Sequence, residues 1–184
     1  ITGKGAMPMG QEFEEMTEDI LCHPQFQALR SFCHHGGENS LYDHLVDSAK
    51  CAYRLAAAFG LSQERVRAVT RAALLHDFFG YDWRDESHKQ MVRQYTGWKR
   101  LKQMHAFSHG AYAAKRASLY FTLDDRQRGA IRSHMFPLAP VPRSSEAWIV
   151  TLADKMVASR EMSAAVRWHV RQLYHRARLS VAHS

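Results

Sequence analysis

The feature that leaves this chain the least freedom is an apolar helical stripe that runs directly into charge. Val66, Val69, Ala72, Ala73 and Leu75 recur at three- and four-residue steps, the spacing that turns one face of an α-helix toward a core. The stretch Ala72-Ala73-Leu74-Leu75 then meets His76-Asp77 without a break. A carboxylate at the buried end of such a helix is expensive unless something positive meets it. Asp154 repeats the problem. It follows Trp148-Ile149-Val150-Thr151-Leu152-Ala153, with Val150 one turn before it and Val157 one turn after it.

The rest of the chain reads as helices separated by short breakers. Ser40 and Asp43 form a capping-box pattern for a helix running to Phe59, where Gly60 supplies the stop. Ser62 begins the next helix. After Asp77 the pattern breaks at Phe79-Gly80-Tyr81-Asp82-Trp83, ahead of a short polar helix over Ser87 to Tyr95. Ser108 caps a segment through Tyr120, Asp124 one through His134, and Ser144 or Ser145 one through Arg160. Pro137, Pro140 and Pro142 keep the intervening loop out of a helix. A separate basic, amphipathic last helix is expected from Arg167, Arg171, Arg176 and Arg178, with Val170 and Leu173 turned inward. No alternating, β-branched run of strand length appears, so the expected class is all-α. With 184 residues the chain is expected to make one domain over 11–184, preceded by a flexible segment over 1–10 that is in part not native.

A divalent cation answers both buried carboxylates at once, because imidazole nitrogen and carboxylate oxygen are good ligands for first-row metals. His44 shares a helix face with Leu41 and Ser48 and can complete the set. Taken singly, each of these residues also has a structural reading; Lys155 or an arginine can neutralise Asp154.

Jointly, His44, His76-Asp77 and Asp154 resemble the H…HD…D signature of the HD-domain superfamily of metal-dependent phosphohydrolases. The local wording, Ala73-Leu74-Leu75-His76-Asp77 and Thr151-Leu152-Ala153-Asp154-Lys155, follows that family closely, and the resemblance spans roughly Leu41 to Glu161. It implies an all-helical core in which those four residues bind a metal, with Asp77 near the reacting centre. His109 and His134 resemble the extra histidines of binuclear members. In that arrangement Asp77 bridges two ions, His44, His76 and Asp154 hold one, and His109 and His134 hold the other. His105 is a substitute for His109 if its helix starts earlier. The family's doublet is often followed by a small residue, Gly and Lys, whereas here it reads Phe78-Phe79-Gly80-Tyr81. Either Arg84 or Lys99 then supplies the missing cation, or the substrate differs from those of the family's better-known branches. Phe78, Phe79, Tyr81 and Trp83 either stack on a base or pack in the core.

The function implied is hydrolysis of a phosphoester or pyrophosphate bond in a small, nucleotide-like substrate by a metal-activated water. Asp77 is expected to orient that water, and Lys155 or Arg132 to neutralise phosphoryl charge. His/Asp ligation without cysteine favours Fe, Mn, Co, Ni or Zn, with Mg retained. The net charge of +7 favours phosphate-bearing partners. It also keeps nucleic acid as a rival partner, although no recognition motif is readable. A non-catalytic nucleotide-sensing module and a metal-dependent oxygenase are the other rivals. No apolar run reaches the length of a membrane span. The three cysteines, Cys22, Cys33 and Cys51, lack a pairing pattern, so reduced thiols and a cytoplasmic location are expected.

Overall fold

The structure is a computed structural model that describes residues 9–32, 40–80 and 86–181. Its elements are α1 (Met9–Leu21), α2 (Pro24–Gln27) with a 3-10 turn (Ala28–Ser31), α3 (Leu41–Ala58) and α4 (Gln63–Leu75), followed by α5 (Glu86–Arg93) and α6 (Gly97–Gln103). Then come α7 (His105–Tyr120), α8 (Asp125–Ser133) and α9 (Ser145–Val181). The protein is all-α, with no strand element among the described residues.

Local signals set most of these boundaries. Ser40 accepts from the Asp43 amide while the Asp43 carboxylate accepts from the Ser40 amide, which closes the capping box at the start of α3. At its end Gly60 takes φ 69°. The Gly60 and Leu61 amides donate to Ala57 and Ala56, a Schellman ending that needs a left-handed residue there. Asp124 and Gln127 make the same reciprocal cap for α8, and the Ser144 hydroxyl accepts from the Ala147 amide at the start of α9.

Four boundaries differ from the sequence expectation. α7 starts at His105 rather than behind a Ser108 cap, and the Ser108 hydroxyl donates back to the Met104 carbonyl. The polar helix ends at Arg93, and a further short helix, α6, follows it. The separate basic last helix does not exist. Nothing from Glu161 to Val166 breaks a helix, so α9 runs unbroken through both expected segments with Arg167 and Arg171 exposed. Met9 and Gly10, placed in a flexible start, are the first residues of α1. Residues 1–8 lie outside the described residues, as do the side chains of Val170 and Leu173.

α4 lies at the centre and touches α3, α8 and α9, while α9 also packs on α3 and α8, and α7 closes against α8. Small residues permit this density. Ala49, Ala52 and Ala56 of α3, Ala72 and Ala73 of α4 and Ala153 of α9 are all fully buried among Leu45, Val69, Leu74, Leu75, Ile131 and Val150. α1 is held on α4 by Arg71, whose guanidinium donates to the Met16 carbonyl and to both carboxylate oxygens of Asp19. Phe78 and Phe79 are buried in the core. Phe78 lies among Phe26, Tyr120 and Phe121, and Phe79 meets His105 and His109 edge-on. No described helix is long and apolar enough to cross a membrane. Cys22 and Cys51 are free thiols, and Cys33 falls outside the described residues.

Two contacts fix how the helices meet. Gly110 lets α7 approach α8 so closely that a Cβ there would sit 2.9 Å from the Ile131 carbonyl oxygen and 3.2 Å from that of Arg132. Because backbone atoms cannot swing aside, Gly110→Ala should force α7 away from α8 and cost about 1–3 kcal/mol, read as a lower denaturation midpoint in urea. Glu146, buried at the start of α9, accepts from Arg65 of α4 at 2.7 Å. Burial alone would push this carboxyl up, but Arg65, its own backbone amide and Ser144 hold it down at about 2 against an ordinary 4.5. A depressed carboxyl stabilises the fold above its unfolded pKa and loses that effect as pH falls toward the folded one. The stability gap between wild type and Glu146→Gln should therefore be full near neutrality and close between pH 4.5 and about 2, as measured by denaturation at stepped pH.

Candidate metal centre

His76 caps the C-terminus of α4, and Asp77 lies in the turn beyond it. His134 occupies the same position at the end of α8. Two helix C-termini therefore meet at the cluster, each carrying the negative end of its macrodipole. Into this field α9 projects Asp154. The setting is unfavourable for two carboxylates and favourable for cations. α3 contributes His44 and α7 contributes His109, so five elements converge.

All six expected residues come together. Asp154 Oδ1 lies 3.3 Å from His44 Nε2 and 3.4 Å from His76 Nε2. Asp77 Oδ2 is 3.8 Å from His76 Nε2, while its Oδ1 is 3.2 Å from His109 Nε2 and 3.3 Å from His134 Nε2. The two carboxylate oxygens of Asp77 thus face different halves of the cluster. His109 Nε2 and His134 Nε2 are themselves only 3.0 Å apart. Every one of these residues is buried, and His44 and His76 are fully enclosed.

The orientation of the rings is as informative as their proximity. The Nδ1 atoms of His76, His109 and His134 each sit 2.7 Å from a backbone carbonyl oxygen, of Ala73, His105 and Ile131 respectively. A carbonyl only accepts, so each Nδ1 carries a proton and each Nε2 is turned to the centre, where it is a free lone pair whenever the ring is neutral. His76 Nε2 and Asp77 Oδ1 are buried with no hydrogen-bond partner. Lone pairs of His109 and His134 that point at each other repel unless a proton or a metal ion lies between them.

A divalent ion fits this arrangement. Ligands at metal–ligand distances of about 2.1 Å stand about 3.0 Å apart in octahedral and 3.4 Å apart in tetrahedral geometry. The closest edges of the cluster, 3.0 to 3.4 Å, fall in that interval. Three overlapping groups can hold an ion, namely His44 with His76 and Asp77, His76 with His134 and Asp154, and Asp77 with His109 and His134.

Without an ion, protons carry the charge balance. Burial lowers the pKa of the His44 imidazole, but the Asp154 and Glu161 carboxylates more than reverse this and raise it to about 10. Burial pushes Asp77 and Asp154 up, yet the surrounding imidazoles hold both well below the usual carboxylate range. His109 is raised by Asp77 against its own burial, while burial leaves His134 lowered. The pocket keeps both acids ionised and demands positive charge in return.

Other expected residues fall elsewhere. Helix α7 begins early enough to include His105, but His109 is the residue that meets Asp77. His105 stacks on the His109 ring at 4.5 Å and gives its carbonyl to His109 Nδ1. Lys155, Arg132 and Lys99 are exposed. Arg84, Tyr81 and Trp83 lie outside the described residues. Gly80, at φ 71°, is covered by the Arg116 side chain, so a cation does pack just after the doublet. Sequence reasoning missed Glu161, whose Oε2 lies 3.1 Å from His44 Nδ1. Its signal was its place seven residues after Asp154 on the same face of one helix.

Comparison with known proteins agrees with this geometry. Residues 41–159 match the family described as HD domain. Neither the curated proteins nor the solved structures yield a match. The matched span is well over half of the chain and contains the whole of the histidine and aspartate cluster. The chain belongs to the HD-domain family, whose members are generally metal-dependent phosphohydrolases.

Proposed function

We propose that this protein is a metal-dependent phosphohydrolase that cleaves a phosphoester or pyrophosphate bond in a small, nucleotide-like substrate. The observation that carries this reading is Asp77, whose two oxygens each face a different group of buried imidazoles. Such a cluster has the form of a centre that orients an attacking water. His44, His76 and Asp154 would hold one divalent ion, His109 and His134 a second, and Asp77 would bridge them. A bound ion of this kind acts as a Lewis acid toward phosphoryl oxygen and lowers the pKa of its water toward neutrality.

The chain's own groups do the rest. Asp77, ionised by its surroundings, fixes the direction of the attacking water and accepts its proton. The Nδ1 bonds to carbonyl oxygens stop the rings from rotating, so the Nε2 set is preorganised before substrate arrives. Lys155, exposed and next to Asp154 in sequence, would neutralise charge on the transferring phosphoryl group. Iron, manganese, cobalt, nickel or zinc suit the imidazole-rich half-sites, with magnesium the poorer fit.

The test is phosphate release from a panel of nucleoside mono-, di- and triphosphates, cyclic nucleotides and simple phosphomonoesters with added Mn2+. Turnover should disappear on chelation and fall about 10²–10⁴-fold in Asp77→Asn. Binding of a nucleotide without turnover in the metal-loaded wild type would instead make the protein a sensing module.

A further inference from the structure

Among the four clustered histidines, three rest Nδ1 on a neutral backbone carbonyl and His44 rests it on a carboxylate. Glu161 lies two turns beyond Asp154 on α9, a separation of about 10 Å along the helix axis. From these two positions one helix grips both nitrogens of the same ring. Asp154 Oδ1 is 3.3 Å from Nε2 and Glu161 Oε2 is 3.1 Å from Nδ1. The register that makes this grip is fixed next door, where Arg160 donates to Asp47 of α3 at 2.6 Å. Glu161 is only 11% exposed at its side chain, and a carboxylate so placed is retained at a desolvation cost.

We propose that Glu161 is a positioning residue that makes the His44 half of the cluster the tighter of two metal half-sites. The inference rests on the metal-dependent reading above. A carboxylate behind an imidazole locks its tautomer and raises the basicity of the opposite nitrogen more than a carbonyl does. The His44 half also holds Asp154 and one oxygen of Asp77, whereas among the described residues the carboxylate within ion-pair distance of His109 and His134 is the other oxygen of Asp77. Among the described residues three carboxylates lie at the first half and one is in ion-pair contact with the second, so cation affinity should divide the same way. Glu161 does this through His44, without touching the ion.

Calorimetric titration of chelator-treated protein with Mn2+ tests it, using wild type, His109→Ala, Glu161→Gln and Glu161→Ala. Wild type should show a tight and a weak class of site, and His109→Ala should keep the tight one. Glu161→Gln retains an acceptor for the ring N–H but not the charge. It should weaken the tight class about 10–100-fold and leave the weak class unchanged, and Glu161→Ala should weaken it at least as much. Thermal melts of the metal-free variants show whether each is folded; a general loss of structure would lower both classes together. Wild-type constants in Glu161→Gln, or an equal loss in both classes, would overturn the role of Glu161 and leave the metal centre standing. A folded wild type that takes up no Mn2+ would overturn the metal reading and this inference with it.

Discussion

Two ionised carboxylates in an apolar interior are the constraint around which the other features of this protein are arranged. Asp77 and Asp154 are each about 8% exposed and sit at the junction of α3, α4, α7, α8 and α9. Neither can be left unmatched, because an unpaired buried charge costs more than a small domain's margin allows. The answer is a shell of imidazoles with proton-bearing Nδ1 atoms directed outward and Nε2 atoms directed inward. A proton-rich shell satisfies the acids in the metal-free state, and a divalent ion satisfies them with the rings neutral.

Holding that shell requires close helix contact, and the sequence spends its smallest residues there. Gly110 follows His109 directly and faces the Ile131 and Arg132 carbonyls, so the residue that brings α7 onto α8 is next to the one that meets Asp77. The Ile131 carbonyl that a side chain at 110 would strike is also the one that accepts from His134 Nδ1. Packing and ligand orientation therefore share atoms. A displacement of α8 would move a helix contact and turn an imidazole at once.

How much of this was legible in the sequence depended on whether the signal was local. Capping at Ser40 and Asp124, the stop at Gly60 and the buried runs before His76 and Asp154 are short-range patterns, and each appears where the spacing put it. Asp77 and Asp154 were legible because charge inside an apolar stripe is anomalous, and His44 because it shares a helix face with Leu41 and Ser48, whereas His109 and His134 were legible only through the family resemblance. What escaped was set by tertiary contact or by the absence of a signal. α7 extends back to His105 with no capping side chain, and its first turns pack His105 and His109 on Phe79. The continuity of α9 escaped because a change in composition, from apolar to basic, is not a helix break. Glu161 escaped because its partner is set by tertiary contact, which brings His44 of α3 beside it.

The length of α9 then acquires a physical meaning at its N-terminal half. Along one helix Glu146 reaches Arg65 of α4, Asp154 reaches His44 and His76, Arg160 reaches Asp47 and Glu161 reaches His44 again. These contacts are spread over about 22 Å at 1.5 Å per residue. Apolar packing alone tolerates sliding, because one leucine-sized knob resembles the next. Polar contacts at fixed intervals do not, and a slip of one turn would break all of them together. α9 thus sets the register of the bundle, and the same rigid spacing delivers two carboxylates to opposite edges of one imidazole.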